Sequence, residues 1–247
     1  MFPIRDHNPS ERVAYVTYAL IAANVVIWVW SVTALNQQAD LGRLYYDYAM
    51  IPARVSAGEN WASLVTATFL HANLMHLAGN MLFLFIFGDN MEDEMGPLPF
   101  LGFYLAAGIL ANVAQWAAAP GSPVPVIGAS GAVAGVMGGY LLLFPKARVD
   151  IFIFLVIIIR ILPVPAWVML GLWFLFQLWG GFGTPADGGG VAYWAHAGGF
   201  VIGLLLTVPV WLRRGAAAYW SRTHGHPPHP DARYPFRQTS IPRVPRR

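Results

Sequence analysis

Six stretches of this chain are each close to 20 residues long and contain no Asp, Glu, Lys or Arg: 13–35, 71–88, 99–119, 126–144, 163–181 and 193–212. A helix needs roughly 20 apolar residues to cross about 30 Å of hydrocarbon, and in lipid it must satisfy its own backbone groups. The expected fold is therefore an all-α, polytopic membrane protein: a bundle of six transmembrane helices over 1–212. Charged residues make up only 11% of the 247, against about a quarter in soluble domains. The first stretch is too long for a signal-peptide core and lacks a small-residue cleavage site, so it reads as a retained helix. The run 151–159 is short and β-branched and is closed by Arg160 and Pro163. It predicts a connection lying at, or re-entering, the interface rather than a seventh span.

Basic residues set the expected orientation. With six spans, one side holds Arg5, Arg12, Lys146, Arg148, Arg160 and every basic residue from Arg213 onward, and the other holds Arg43 and Arg54: thirteen against two. Both termini are expected in the cytoplasm, with Asp89, Glu92, Asp93 and Glu94 forming an acidic turn on that side. A net charge of +3, confined to connections and tail, describes topology rather than nucleic-acid binding. Without cysteine, disulfides and thiol chemistry are excluded. The segment 36–70, with Tyr45, Tyr46, Tyr48 and Trp61, is expected to be a structured first outer loop, and the glycine-rich 182–192 a mobile one. Residues 213–247, rich in proline and arginine, are read as a disordered cytoplasmic tail, and His224, His226 and His229 as solvated rather than metal-bound.

Polar side chains inside a membrane segment are expensive and tend to mark function. Under the expected orientation the second, fourth and sixth spans run in the same direction. Ser130, His196, His71, His76 and Asn80 then share one depth, in the outer half of the membrane. Asn80 follows His76 by four residues and so lies on the same helical face. Gly131, Gly135 and Gly139 recur every four residues, as do Gly199 and Gly203, and such stripes let two helices approach closely. That approach would bring the Ser130 hydroxyl toward the His196 ring, a base able to take its proton and return it to a leaving amine. No Asp or Glu lies within a span, so the pair would be a dyad. His76, Asn80 and the Ser130 backbone N–H are suitable donors for a developing oxyanion. Taken singly, each residue also has a packing explanation: a serine among glycines, or a histidine or asparagine joining two helices. Their common depth is what favours chemistry.

The segments His71-Ala-Asn-Leu-Met-His76-Leu-Ala-Gly-Asn80, Phe87-Gly-Asp-Asn-Met-Glu92 through Gly96, Gly128-Ala-Ser130-Gly131 and His196-Ala-Gly-Gly199-Phe-Val-Ile-Gly203 occur in this order. In them the chain resembles the rhomboid intramembrane serine proteases of the bacterial six-span type, nearly throughout its length to about residue 212. The resemblance implies Ser130 as nucleophile, His196 as general base, and an oxyanion hole from His76, Asn80 and the Ser130 amide. His71, Gly128, Gly131, Gly199 and Gly203 become structural support, 182–192 a flexible cap and the fifth span a substrate gate. It further implies transmembrane protein substrates met within the lipid bilayer, a small residue at the cut, no cofactor, no metal and residence in a bacterial inner membrane. The chain departs from the family in three places. Trp61-Ala62-Ser63 stands where many relatives have a Trp-Arg pair, and Glu92-Asp93-Glu94 where a Glu-x-Arg arrangement is frequent. Ala134 stands where some relatives stack an aromatic on the histidine. Two rival readings remain from the sequence: a catalytically silent membrane-binding relative and a transporter. A histidine-bound metal hydrolase is weaker, because no carboxylate accompanies the histidines. The sequence names neither a substrate nor an oligomeric state.

Overall fold

In the computed structural model, which describes residues 2–35, 38–155, 158–187, 189–228 and 230, the apolar stretches form one helical bundle with a small sheet at one end. The elements in order are β1 (Phe2–Asp6), α1 (Tyr15–Ala34), α2 (Gln38–Tyr48), α3 (Pro52–Ser56), α4 (Ser63–Thr66), α5 (Leu74–Met95), α6 (Pro97–Ala118), α7 (Ser130–Leu143), β2 (Arg148–Leu155), β3 (Ile158–Pro165), α8 (Ala166–Gly183), α9 (Tyr193–Arg213) and α10 (Ala217–Thr223). Helices α1, α6, α8 and α9 are each long and apolar enough to cross a membrane. α5 qualifies together with Ser63–Phe69, from which it is bent by 96°. The fold is that of a polytopic helical membrane protein.

α7 is the axis of the bundle. Every residue from Gly131 to Tyr140 is buried, as an all-round apolar helix must be. With 14 residues it is only about 21 Å long. An extended segment leads into it, where Val126 and Met50 exchange backbone hydrogen bonds of 3.1 and 2.8 Å and Gly128 N–H donates to Ala67 C=O at 2.9 Å. The glycine stripes meet as the sequence predicts: a Cβ at Gly203 would collide with the Gly135 backbone, and one at Gly199 with the Gly131 carbonyl. α7 and α9 are therefore packed backbone to backbone.

Segment 38–69 is helical and packed. Trp61 meets Trp116 of α6 edge-on at 5.6 Å, the Trp116 Nε1–H donates to Ser56 Oγ at 2.8 Å, and Arg54 lies 4.0 Å over the Tyr46 ring and pairs with Glu59 at 3.1 Å. These contacts hold the loop where the Trp-Arg pair of many relatives is missing.

Three features refine or correct the sequence reading. The acidic residues are not a turn: α5 continues through them to Met95 and stops at Gly96, whose φ of +82° favours glycine, before Pro97. Their charges have partners. Glu92 accepts from the backbone N–H of Val16 and Thr17 and from the Thr17 hydroxyl, at 2.8 to 3.0 Å, and so caps α1. Glu94 pairs with Arg214 at 2.7 Å. The run 151–160, read as an interfacial or re-entrant connection rather than a seventh span, lies outside the membrane-length helices and is extended in its described residues. It belongs to a hairpin, β2–β3, whose register pairs Arg148 with Pro165 through Leu155 with Ile158. β1 adds on the other side of β2, leaving the prolines of β1 and β3 on edge strands, where a missing N–H is tolerated. Finally, the tail does not begin at 213. α9 includes Arg213, and α10 folds back so that Tyr219 is buried and the Trp220 Nε1–H donates to Leu142 C=O at 3.0 Å. His229 and the residues from 231 onward lie outside the described residues.

Candidate active site

The residues singled out by sequence gather at the end of the bundle opposite the sheet. Ser130 is the first residue of α7, and its N–H, like the other N–H groups of a first helical turn, has no partner within the helix. His196 lies in the first turn of α9. His76 lies in the first turn of α5, which Asn73 caps by accepting from His76 N–H at 2.9 Å. His76, Asn80, Ser130 and His196 all line one cavity of about 660 Å³. Residues of the glycine-rich segment, among them Thr184, Ala186 and Gly190, form another wall.

Gly128 makes the cavity possible. Its φ is +125°, and a Cβ there would lie 2.7 Å from His76 Nε2 and 3.5 Å from Ser130 Oγ. Only a residue without a side chain leaves those two atoms facing the same space. Gly131 fits as closely: its Cβ position is 2.6 Å from that of Ala111.

His71 is buried behind the cavity. Asn80 Nδ2–H donates to His71 Nε2 at 3.0 Å, and the His71 and His76 rings meet edge-on at 5.1 Å. One of the two Asn80 donors is thus committed to His71, and Asn80 is at the same time a lining residue of the cavity. Ser130 and His196 share the cavity without a direct hydrogen bond, an arrangement common in unliganded sites that tighten only around substrate.

Two groups of α8 escaped the sequence reading. Gln177 Oε1 lies 2.8 Å from His196 Nδ1, and the Trp173 ring lies 5.9 Å from the imidazole, tilted by 34°. Trp173 thus provides the aromatic neighbour that Ala134 cannot. The signal was present: Gln177 is the one carboxamide in α8, whose other residues are apolar apart from the indoles. Gln115 of α6 was also passed over. Its Oε1 accepts from Ala195 N–H at 3.1 Å and its Nε2 donates to Ala186 C=O at 3.3 Å, tying the start of α9 to the glycine-rich segment. Among the described residues no group of three or more His, Asp or Glu side chains is arranged to hold a metal ion.

The chemistry such a cavity offers is that of acyl transfer: a hydroxyl, an imidazole and several N–H donors around one space. A family model described as Rhomboid domain matches residues 58–213. The chain is 47% identical over 76 residues to Rhomboid-like protein 11, chloroplastic, of Arabidopsis thaliana, a stretch covering 31% of this chain and 27% of that protein. It is 29% identical over 195 residues to Rhomboid protein 1, mitochondrial, of Saccharomyces cerevisiae, covering 76% and 51%. It is 34% identical over 131 residues to Putative rhomboid protease YdcA of Bacillus subtilis, covering 53% and 57%. The chain thus spans between about a quarter and little more than half of the length of these relatives.

Proposed function

This chain belongs to the rhomboid family, and on that premise we propose that it is an intramembrane serine endopeptidase that cleaves transmembrane segments of other membrane proteins. The observation that carries the reading is the convergence of Ser130, His196, His76 and Asn80 on one cavity. A substrate helix enters from the lipid and unwinds near its end, because a helical carbonyl is already hydrogen-bonded and shielded. Ser130 Oγ attacks that carbonyl carbon while His196 Nε2 takes the hydroxyl proton. Negative charge collects on the carbonyl oxygen, where the Ser130 backbone N–H, the second Asn80 amide hydrogen and His76 stabilise it. His196 returns the proton to the departing amine, leaving an acyl-enzyme. Water, deprotonated by the same imidazole, then releases the new carboxylate and restores Ser130. Helix-weakening residues and a small residue at the cut are the expected substrate features.

The basic-residue asymmetry supports an orientation with both termini cytoplasmic, the sheet and α10 on that side and the cavity toward the opposite face, and the likeness to a Bacillus subtilis relative supports a bacterial inner membrane. Support for a silent relative comes from one observation, the missing hydrogen bond between Ser130 and His196. A single experiment separates the two readings: fluorescent fluorophosphonate labelling of detergent-purified protein. The protease reading expects labelling of the wild type that disappears in both Ser130→Ala and His196→Ala. A folded wild type that does not label, or a Ser130→Ala variant that does, overturns it.

A further inference from the structure

A carboxamide in a membrane helix is costly unless both of its ends are satisfied. Gln177 is turned inward, 9% exposed, while its neighbours Phe176 and Trp179 are open at 68% and 81%. Its Nε2–H donates to Trp173 C=O at 3.2 Å, and its Oε1 faces His196 Nδ1 at 2.8 Å. The first bond fixes the sense of the amide, since a flipped amide would set oxygen against oxygen. An amide oxygen only accepts, so the ring proton of neutral His196 sits on Nδ1. Nε2 then carries the free lone pair that a general base requires. Trp173, one turn earlier on the same helix, lies against the ring. One helix therefore supplies both the bond that sets the tautomer and the surface that sets the ring plane.

We propose that Gln177 is a positioning residue which, together with Trp173, holds His196 as the Nδ1–H tautomer, so that the base is competent only while α8 is docked against α9. The proposal rests on the reading of Ser130 and His196 as nucleophile and base. A Gln177 that merely satisfied a helix contact would affect stability without affecting the tautomer or the reactivity of folded protein.

The test uses full-length protein in detergent with ¹⁵N-labelled histidine, the His196 signals being identified by their loss in His196→Ala. Wild-type His196 is expected to be protonated on Nδ1, and Gln177→Leu to show a mixture of tautomers. The fluorophosphonate labelling rate of Gln177→Leu is expected to fall about a hundredfold, the scale of a misplaced catalytic group. Gln177→Glu, as the neutral carboxylic acid, can donate its O–H to Trp173 C=O and keep an acceptor oxygen toward His196 Nδ1, and is expected to recover most of that rate. If Gln177→Leu does not fold, Gln177→Met provides the same comparison. Labelling of the leucine or methionine variant at the wild-type rate overturns the proposal while leaving the protease reading intact, as does wild-type His196 protonated on Nε2. A folded wild type that does not label overturns the protease reading and this proposal with it.

Discussion

At the scale of single residues, the cavity depends on one missing side chain. Gly128→Ala would place a methyl group 2.7 Å from His76 Nε2 in a backbone conformation of φ +125°, with strain of about 1–3 kcal/mol. The expected outcome is a labelling rate lowered by about ten- to a hundredfold with the thermal midpoint changed by only a few degrees. Wild-type labelling by this variant would mean that His76 and Gly128 do not shape the site. Ser130, His196, His76 and Asn80 were legible in the sequence because polar atoms stand out against apolar spans. Gln177 stands out equally, but reading the fifth span for acidic residues alone missed it. A carboxamide can orient an imidazole without bearing charge. That His71 takes one Asn80 hydrogen was not legible, because ring orientation follows from tertiary packing rather than from spacing.

At the scale of elements, hydropathy located the apolar helices but misplaced the end of α5. The acidic residues Asp89 to Glu94 read as a turn because isolated carboxylates favour water. Glu92 is instead buried, accepting two backbone N–H groups of α1. A charge that completes another helix's N-terminus belongs inside a bundle, and nothing in the local sequence indicates the partner. Glu92→Ala is expected to leave those donors unsatisfied and to destabilise the protein by about 1–3 kcal/mol, measured as a lower midpoint in thermal unfolding. An unchanged midpoint would deny the cap. The approach of α7 and α9 was legible because glycine at every fourth position has a direct geometric meaning. The β2–β3 hairpin was not: an apolar β-branched run fits a buried strand and an interfacial connection equally well until its partner β1 is known.

At the scale of the whole molecule, the chain's N-terminal strand closes the sheet end of the bundle. The Tyr140 hydroxyl, at the opposite end of α7 from Ser130, donates to Asp6 Oδ2 at 3.0 Å, and Asn8 donates to both Tyr140 and Asp6. Burial, with the nearby Asp89 charge, pushes the Asp6 carboxyl up to about 7, against hydrogen bonds from Tyr140 and Asn8 that favour the ionised form. A carboxyl raised in the folded state binds its proton more tightly there than in the unfolded chain. Its favourable contribution is therefore full below about pH 4 and is lost as pH rises to about 7. Amide hydrogen exchange in β1, corrected for intrinsic rates, is expected to be slower at pH 5 than at pH 8, and Asp6→Asn is expected to remove the difference. Equal protection in the wild type at the two pH values would contradict this account. The central claim concerns the other end of the molecule: that a serine set within the bundle cuts peptide bonds of membrane segments. The most direct test is cleavage of a single-span peptide with a helix-weakening residue, co-reconstituted with the full-length protein in lipid vesicles. The account predicts fragments from the wild type, and from Ser130→Ala or His196→Ala rates lower by about a thousandfold or more. Cleavage by purified Ser130→Ala at the wild-type rate would contradict it.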